Sequence, residues 1–413
     1  MHIRHAEKTR TSTCNFADRI AHLVIDRYQE LFPEETREAV KQSVLAGVVI
    51  RQEDHGMVDL QVVSLGVGTK YIQSSLLREV VCSGRRHAPN VKDSHAEVIA
   101  KRNFQLYLLD EVERYYSEGV SEILEIAQDH PETLRLKPSI SFHLYTSSAP
   151  CGNACVRKWA KSKKEKFLPE YSPDTYPEFP HPKFFVTAEQ DGQIAVMVKR
   201  YSDIGTEDSQ DREGMDEINV CPLSCAPANS GRGCLMSCSD KVAKWNCLGL
   251  QGSLLIRFLD TPVYLSTVTI GRKFSRAHCE RALCCRLSEF QHRRFRIHHP
   301  TLMCTSVIFD DSIIDTSDSN GADFQFSGCL SWSLYHSPEV IDGSTGLSRT
   351  NSEISPPSQI SGSLLHSRVV QLEKDYSPLS SNDILEEYQA AKNLLLCDRR
   401  FFADWVKYKM YCL

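Results

Sequence analysis

The stretch "KDSHAEVIAKRNF", residues 92–104, sets a histidine, a glutamate two places later and then an apolar periodicity. Val98, Ile99 and Phe104 recur at helical spacing, which predicts an amphipathic helix over residues 95–116. At the start of such a helix His95 and Glu97 can face one pocket as separate groups. The bland reading of a histidine at a helix start is a cap or a solvated side chain. The chain supplies its own control, because His5-Ala6-Glu7 repeats the triplet before "KTRTST" with no helical pattern behind it.

What sets the second copy apart is its company. "ISFHLYTSSAP" (140–150) reads as a strand ending at a turn, and its sequel places Pro150-Cys151 there. A helix opening at "CGNACVRKWA" would aim backbone N–H groups at the Cys151 thiolate. His-x-Glu followed by Pro-Cys is the pattern of zinc nucleobase deaminases, in which one His and two Cys hold the metal and the Glu moves protons. The compact form, Pro-Cys-x-x-Cys, fails here because Cys155 stands one residue too far along. Either Cys155 ligates in unusual geometry or the third ligand is remote. "LMSCSDKVAKWNCLGLQGSLL" (235–255) offers Cys238, just ahead of a helical segment.

The surrounding chain is that of a globular protein. Its 413 residues are 41% hydrophobic and 24% charged, and the formal charge of −5 excludes a global positive field, so any polyanion site must be a local patch. Sixteen cysteines without an apolar leader at the N-terminus, and without an apolar run long enough to span a membrane, imply reduced thiols and a cytoplasmic or nuclear location. A helix is expected over residues 16–42, interrupted at Pro33, and paired strands at 43–50 and 57–68. Residues 201–235 turn acidic and then Pro/Ser/Gly-rich, as a flexible insertion would, and 341–364 is Ser-rich. A last helix is expected over about 381–406. Alternating strands and helices point to an α/β fold with a mixed sheet.

"VSLGVGTKYI", "DSHAEVIAKR", "SAPCGN", "MSCSDKVAKWNCLGLQGSLL", "PVYLSTVTIGRKFSR" and "EEYQAAKN…FFADWVKY" come in one order. Together they resemble the adenosine deaminase domain shared by ADAR RNA editases and the tRNA-specific adenosine deaminases of the Tad/ADAT type. The resemblance implies a cytidine-deaminase-like core elaborated into one domain over 43–413, behind an N-terminal helical extension over 1–42. It also implies zinc on His95, Cys151 and Cys238 with Glu97 as proton shuttle, which leaves Cys155, Cys247, Cys284 and Cys285 as packing thiols. Thr69 and Lys70 match positions near the substrate sugar and phosphate, against the plain reading of a hairpin end with a solvated lysine.

The same resemblance implies a buried inositol hexakisphosphate, held by Lys101, Arg102, Lys241, Lys244, Ser253, Tyr388, Lys392 and Trp405. Lys101 and Lys244 stand where the ADAR pattern has arginine, and Leu347 stands where a cation is expected, with Arg349 two residues on. The 42 residues ahead of the domain are few for a double-stranded RNA-binding module. A catalytic domain standing alone resembles the tRNA-specific enzymes, and that resemblance implies as substrate the anticodon stem-loop of tRNA, at the adenosine 3′ of the anticodon in alanine tRNA; no obligate protein partner is evident. "RKWAKSKKEK" (157–166), with six Lys/Arg in ten residues, is the first candidate for an RNA contact and the Arg/His run near 272–299 the second. Two rivals are a silent zinc-containing RNA-binding subunit, which Glu97 opposes, and a cytidine deaminase, which the missing compact cysteine pair opposes.

Overall fold

The computed structural model describes residues 15–38, 43–69, 72, 76, 88–151, 154, 183–190, 193–199, 216–221, 237–311, 328–350, 354–376 and 382–397, with 183–221 described by backbone alone. The N-terminal part runs α1 (Phe16–Leu31), α2 (Glu34–Glu38), β1 (Leu45–Asp54), β2 (Met57–Val67), α3 (Ala96–Glu118), β3 (Leu124–Ile126), β4 (Leu134–Leu136) and β5 (Ile140–Ser148). A small antiparallel sheet follows, of β6 (Lys183–Gln190), β7 (Gln193–Lys199) and β8 (Asp216–Cys221). Next come α4 (Cys238–Leu248), α5 (Gly252–Leu255), β9 (Leu265–Arg272), α6 (Arg276–Leu283), β10 (Thr301–Cys304), β11 (Gly328–Ser333), β12 (Glu339–Asp342), α7 (Gly362–Asp375) and α8 (Asn382–Cys397).

The main sheet has seven strands in the order β10-β9-β5-β1-β2-β11-β12. β10, β9 and β5 run parallel, and the remaining pairs are antiparallel, which is the mixed α/β sheet expected from the sequence. β1 and β2 form a hairpin closed by His55 and Gly56, both at positive φ (47° and 79°), the backbone that a two-residue turn matched to strand twist requires.

Both faces of this sheet are covered, so its central strands read as continuous apolar runs. On one face α3 buries Ile99, Phe104 and Leu108 against Val48, Val63, Phe142 and Leu144. On the other α1 buries Ile20, Val24 and Tyr28 against Val49, Leu65 and Tyr145. The helix assigned from sequence to an N-terminal extension is thus part of the wall of the core. It ends at Leu31 and helix resumes over Glu34–Glu38, the interruption expected at Pro33, because proline has no N–H to continue the ladder.

α3 sits unusually close to β2. A Cβ at Gly66 would come within 2.6 Å of Ala100 N, Ala96 O and Ile99 Cβ, and one at Gly68 within 2.1 Å of Ser94 O. The Ala96 N–H donates to Gly68 O at 3.0 Å, pinning the helix start to the end of β2. Further along, Asn103 Nδ2 donates to Leu65 O and Ser331 Oγ, both at 2.9 Å, and Ser333 Oγ donates to Asn103 O at 3.1 Å.

Two stretches differ from the sequence reading. Asp216–Cys221, inside the segment read as an irregular insertion, pairs with β7 as a strand. α7 has no counterpart in that reading, although Leu365, Val369 and Leu372 keep helical spacing and Ser361 caps it; only its first turn falls in the Ser-rich stretch. The last helix is described to Cys397, and the expected continuation to 406 lies outside the described residues. Among the described residues no helix is long and apolar enough to cross a membrane.

Gly66→Ala tests the close approach of α3. The added methyl meets backbone atoms that cannot yield, so overpacking is expected to cost on the order of 1–3 kcal/mol. A lowered denaturation midpoint checks this; an unchanged midpoint would show that α3 has room to shift.

Candidate metal centre and its surroundings

β5 and β9 run parallel, and the site lies just beyond the carboxyl end of β5, where open α/β sheets present their clefts. Three segments converge there: the loop into α3, the turn after β5 and the start of α4. His95, Cys151 and Cys238 each present a ligand atom, and these atoms all lie within 4.8 Å of one another. Cys155, the alternative from sequence spacing, lies outside the described residues. Cys247, read as a packing thiol, is buried in an apolar cluster with Ala243, Leu248 and Phe295.

His95 is the N-cap of α3 but makes no side-chain capping bond; its ring turns instead to Asp93. The ring Nδ1 lies 2.7 Å from Asp93 Oδ1, an arrangement that places the proton on Nδ1 and leaves Nε2 as the ligating nitrogen. The second carboxylate oxygen of Asp93 accepts from Lys241 Nζ of α4. Burial alone would raise the Asp93 carboxyl, but Lys241 and His95 outweigh it and hold the group well below the ordinary carboxylate range. Asp93 was not singled out from sequence. The signal was present, as an acid two residues ahead of a candidate ligand histidine.

Cys151 and Cys238 stand 87 positions apart and are joined by backbone. The Cys238 N–H donates to Cys151 Sγ at 3.3 Å and the Ser239 N–H to Cys151 O at 3.0 Å. The helix N-terminus that faces the Cys151 sulfur is therefore that of α4. The helix expected directly after Cys151 falls outside the described residues. The start of α4 is held by a capping box, in which Ser237 Oγ accepts from Asp240 N and Asp240 Oδ2 accepts from Ser237 N. Arg286 pairs with the fully buried Asp240 carboxylate, bracing the same turn.

Glu97 is the second residue of α3 and is 3% exposed. Burial pushes its carboxyl above the ordinary value, and the neighbouring Cys151 sulfur adds to the rise. A buried acid with raised proton affinity beside a His/Cys cluster is the arrangement of a group that exchanges protons.

One turn further along α3, cations gather. Burial pushes Lys101 well below the usual lysine range, and Arg102, Lys244 and Lys392 add to the shift. Burial likewise pushes Lys244 down to about 8, with Lys392 and Lys241 contributing. Lys101 thus neighbours Arg102, Lys244 and Lys392, and Lys244 also neighbours Lys241, so α3, α4 and α8 each contribute cations to this part of the structure. Arg102 Nε donates to Ile360 O at 2.8 Å. Gly252 stands at φ +65°, and a Cβ there would lie 3.4 Å from Lys101 Nζ, so the turn carrying half-buried Ser253 closes over the lysine. Tyr388 is buried on α8 against the Phe295 ring. Half-buried Thr69 follows Gly68 and so stands next to the start of α3. Lys70, Trp405 and the basic run at 157–166 lie outside the described residues.

Asp93→Asn keeps the size of the side chain but removes the charge that Lys241 faces and the anionic acceptor for His95. Metal affinity is expected to fall about 10–100-fold, the usual effect of losing the partner of a ligand histidine. Competition against a chelator measures it, and affinity equal to that of the wild type would exclude a role for Asp93 at the metal.

Comparison with known proteins supplies the family. The adenosine-deaminase (editase) domain matches residues 64–404. The mouse double-stranded RNA-specific adenosine deaminase is 29% identical over 349 residues, covering 83% of this chain and 27% of that protein. The mouse tRNA-specific adenosine deaminase 1 is 27% identical over 401 residues, covering 77% of this chain and 79% of that protein. Its Drosophila melanogaster namesake is also 27% identical, over 293 residues, covering 68% of this chain and 63% of that protein. The chain thus spans about a quarter of the length of the mouse and rat double-stranded RNA-specific adenosine deaminases and most of the tRNA-specific one from mouse. With the matched region running from β2 through α8 and enclosing His95, Glu97, Cys151 and Cys238, the chain belongs to the adenosine-deaminase (editase) domain family.

Proposed function

We propose that this chain converts adenosine to inosine in RNA by hydrolytic deamination, with zinc on His95, Cys151 and Cys238 and with Glu97 as proton relay. The observation that carries the proposal is the convergence of one imidazole and two thiols, within 4.8 Å of one another, beside a buried carboxyl group. That donor set suits zinc, whose catalytic sites take three protein ligands and keep a fourth position open. Zinc held there supplies the Lewis acidity that makes water a nucleophile near neutral pH.

The chain's own residues do the rest. Asp93 fixes the His95 tautomer, and the α4 N–H groups position Cys151. Glu97 takes the proton of the attacking water and delivers it to the amino group leaving carbon six of the purine, so that ammonia departs. Its raised proton affinity suits a group that must hold a proton in one step and release it in the next.

The cation cluster fits a polyanion. Lys101 meets the charges of Arg102, Lys244 and Lys392, and Lys244 those of Lys392 and Lys241, in a half-buried setting, a costly arrangement that an anion offsets. We assign inositol hexakisphosphate to it, contacted by these residues with Ser253 and Tyr388, and with Trp405 from the chain beyond. Lys241 would serve both sites, because its ammonium group is bound to Asp93.

For the substrate we assign tRNA, at the adenosine immediately 3′ of the anticodon in alanine tRNA, and hence a cytoplasmic or nuclear location. The tRNA-specific relatives, matched over most of this chain, support it, and a loop base can be splayed into the pocket at little cost. A second reading, a double-stranded RNA substrate, is favoured by the names of other relatives. Thr69 and Lys70 are assigned to the substrate side of the pocket.

Incubation of the purified protein with alanine tRNA and with an RNA duplex, followed by mapping of inosine, separates the two readings. Glu97→Gln is expected to keep its metal while turnover falls about 10²–10⁴-fold, as for a lost general acid–base group. Near-normal turnover of a zinc-replete Glu97→Gln protein would exclude the mechanism. Cys151→Ala and Cys238→Ala should each lose zinc.

For the polyanion, extract from denatured wild-type protein should contain inositol hexakisphosphate, and Lys244→Ala with Lys392→Ala should yield insoluble or inactive protein. An active enzyme whose extract lacks the inositol phosphate would remove it from the structure.

A further inference from the structure

A second set of metal-ligating side chains, distinct from His95, Cys151 and Cys238, follows α6. Cys284 and Cys285 are consecutive, and their sulfurs lie 3.6 Å apart. Cys285 Sγ lies 3.8 Å from His299 Nδ1. All three ligand atoms lie within 4.8 Å of one another. A tetrahedral zinc with Zn–S of about 2.3 Å and Zn–N of about 2.0–2.1 Å imposes sulfur–sulfur edges of about 3.8 Å and sulfur–nitrogen edges of about 3.6 Å. The two separations, 3.6 Å and 3.8 Å, lie close to these edges.

Cys247 and Cys279 are buried within apolar clusters, whereas this cluster reaches the surface. Cys284 is buried, Cys285 is half-exposed and His299 is exposed, so the cluster opens to solvent on one side and an ion can enter. No disulfide joins the described cysteines.

The two segments that carry the ligands are positioned by one buried residue. Asn246 Nδ2 donates to Leu283 O at 2.9 Å, and Asn246 O accepts from His298 N at 2.7 Å. The residues immediately before Cys284 and before His299 are thus anchored to the same asparagine of α4. The neighbouring His298 is occupied elsewhere, with Nε2 at 2.8 Å from Leu265 O and its ring stacked on Tyr264 at a centroid distance of 5.0 Å. His299 is the ring left facing the thiols.

We propose that Cys284, Cys285 and His299 bind a second zinc ion, with water completing the tetrahedron. Two thiolates and an imidazole are soft and borderline donors that select zinc over calcium or magnesium. The ion closes the loop between positions 285 and 299 and stiffens the turn Cys285–Leu287. That turn carries Arg286, the partner of Asp240 in the cap of the helix that begins at Cys238. The second ion is therefore a structural clip one residue away from a brace of the candidate metal centre. It does not depend on the deaminase reading.

The test is the zinc content of the full chain, compared among the wild type, Cys285→Ser with His299→Ala, and Cys151→Ala. The wild type is expected to hold two equivalents, and each of the other two proteins one. Equal zinc in the wild type and the Cys285→Ser/His299→Ala protein would overturn the proposal. If that protein loses one equivalent and Cys151→Ala loses none, the second site stands and the zinc assignment at His95 falls instead. Should the double variant fold poorly, His299→Ala alone alters only an exposed side chain. Cadmium titration of the zinc-stripped proteins, followed by thiolate-to-metal absorption, should then show one equivalent fewer in His299→Ala than in the wild type, and identical titrations would overturn the proposal.

Discussion

One carboxylate couples the two chemically distinct halves of this structure. Asp93 meets the His95 imidazole with one oxygen and the Lys241 ammonium group with the other. His95 opens α3 and Lys241 lies in the first turn of α4, so the same residue that sets the ligand's tautomer also joins the two helices. Either partner alone would leave Asp93 an expensive buried anion; together they make its ionised form the stable one. The candidate metal centre is in this way tied to the positive cluster behind it, where Lys241 neighbours Lys244.

That cluster gathers like charges away from water. Burial and mutual repulsion push Lys101 and Lys244 below their ordinary range, so keeping both charged here carries a cost. Asp93 and Asp240 raise Lys244 again, yet Asp240 is already engaged by Arg286 and the α4 cap. A polyanion at this position would convert a destabilising cluster into a strut joining α3, α4 and α8.

Much of the site was readable because its parts are local. His95 and Glu97 are two residues apart on a helix whose apolar periodicity is plain, and α3 begins where that periodicity says it should. The β1–β2 hairpin, the β5 strand and the start of α4 at Cys238 were equally visible in period and turn residues. What eluded the reading is non-local or masked by composition. α7 follows directly on a Ser-rich stretch, β8 lies in an acidic one, and although Asp93 stands two residues ahead of His95, its partner Lys241 comes from 148 positions away. The vicinal cysteines carry no metal-binding spacing at all; only the return of the chain at His299 gives them a third donor.

Local order along the chain determined which residue types were available: the histidine and glutamate at a helix start, the cysteine at a strand end, the cations on helical faces and the mixed α/β alternation. Tertiary structure shows which of the described cysteines face His95, because ligation needs donor atoms within a few ångströms and sequence separation says nothing about that distance. The choice of Cys238 follows from α4 docking its N-terminus on Cys151, a placement set by the packing of helices and strands distant in sequence. Burial is settled at the same level. A lysine or a carboxyl acquires its altered proton affinity only when the folded chain removes water and sets other charges beside it.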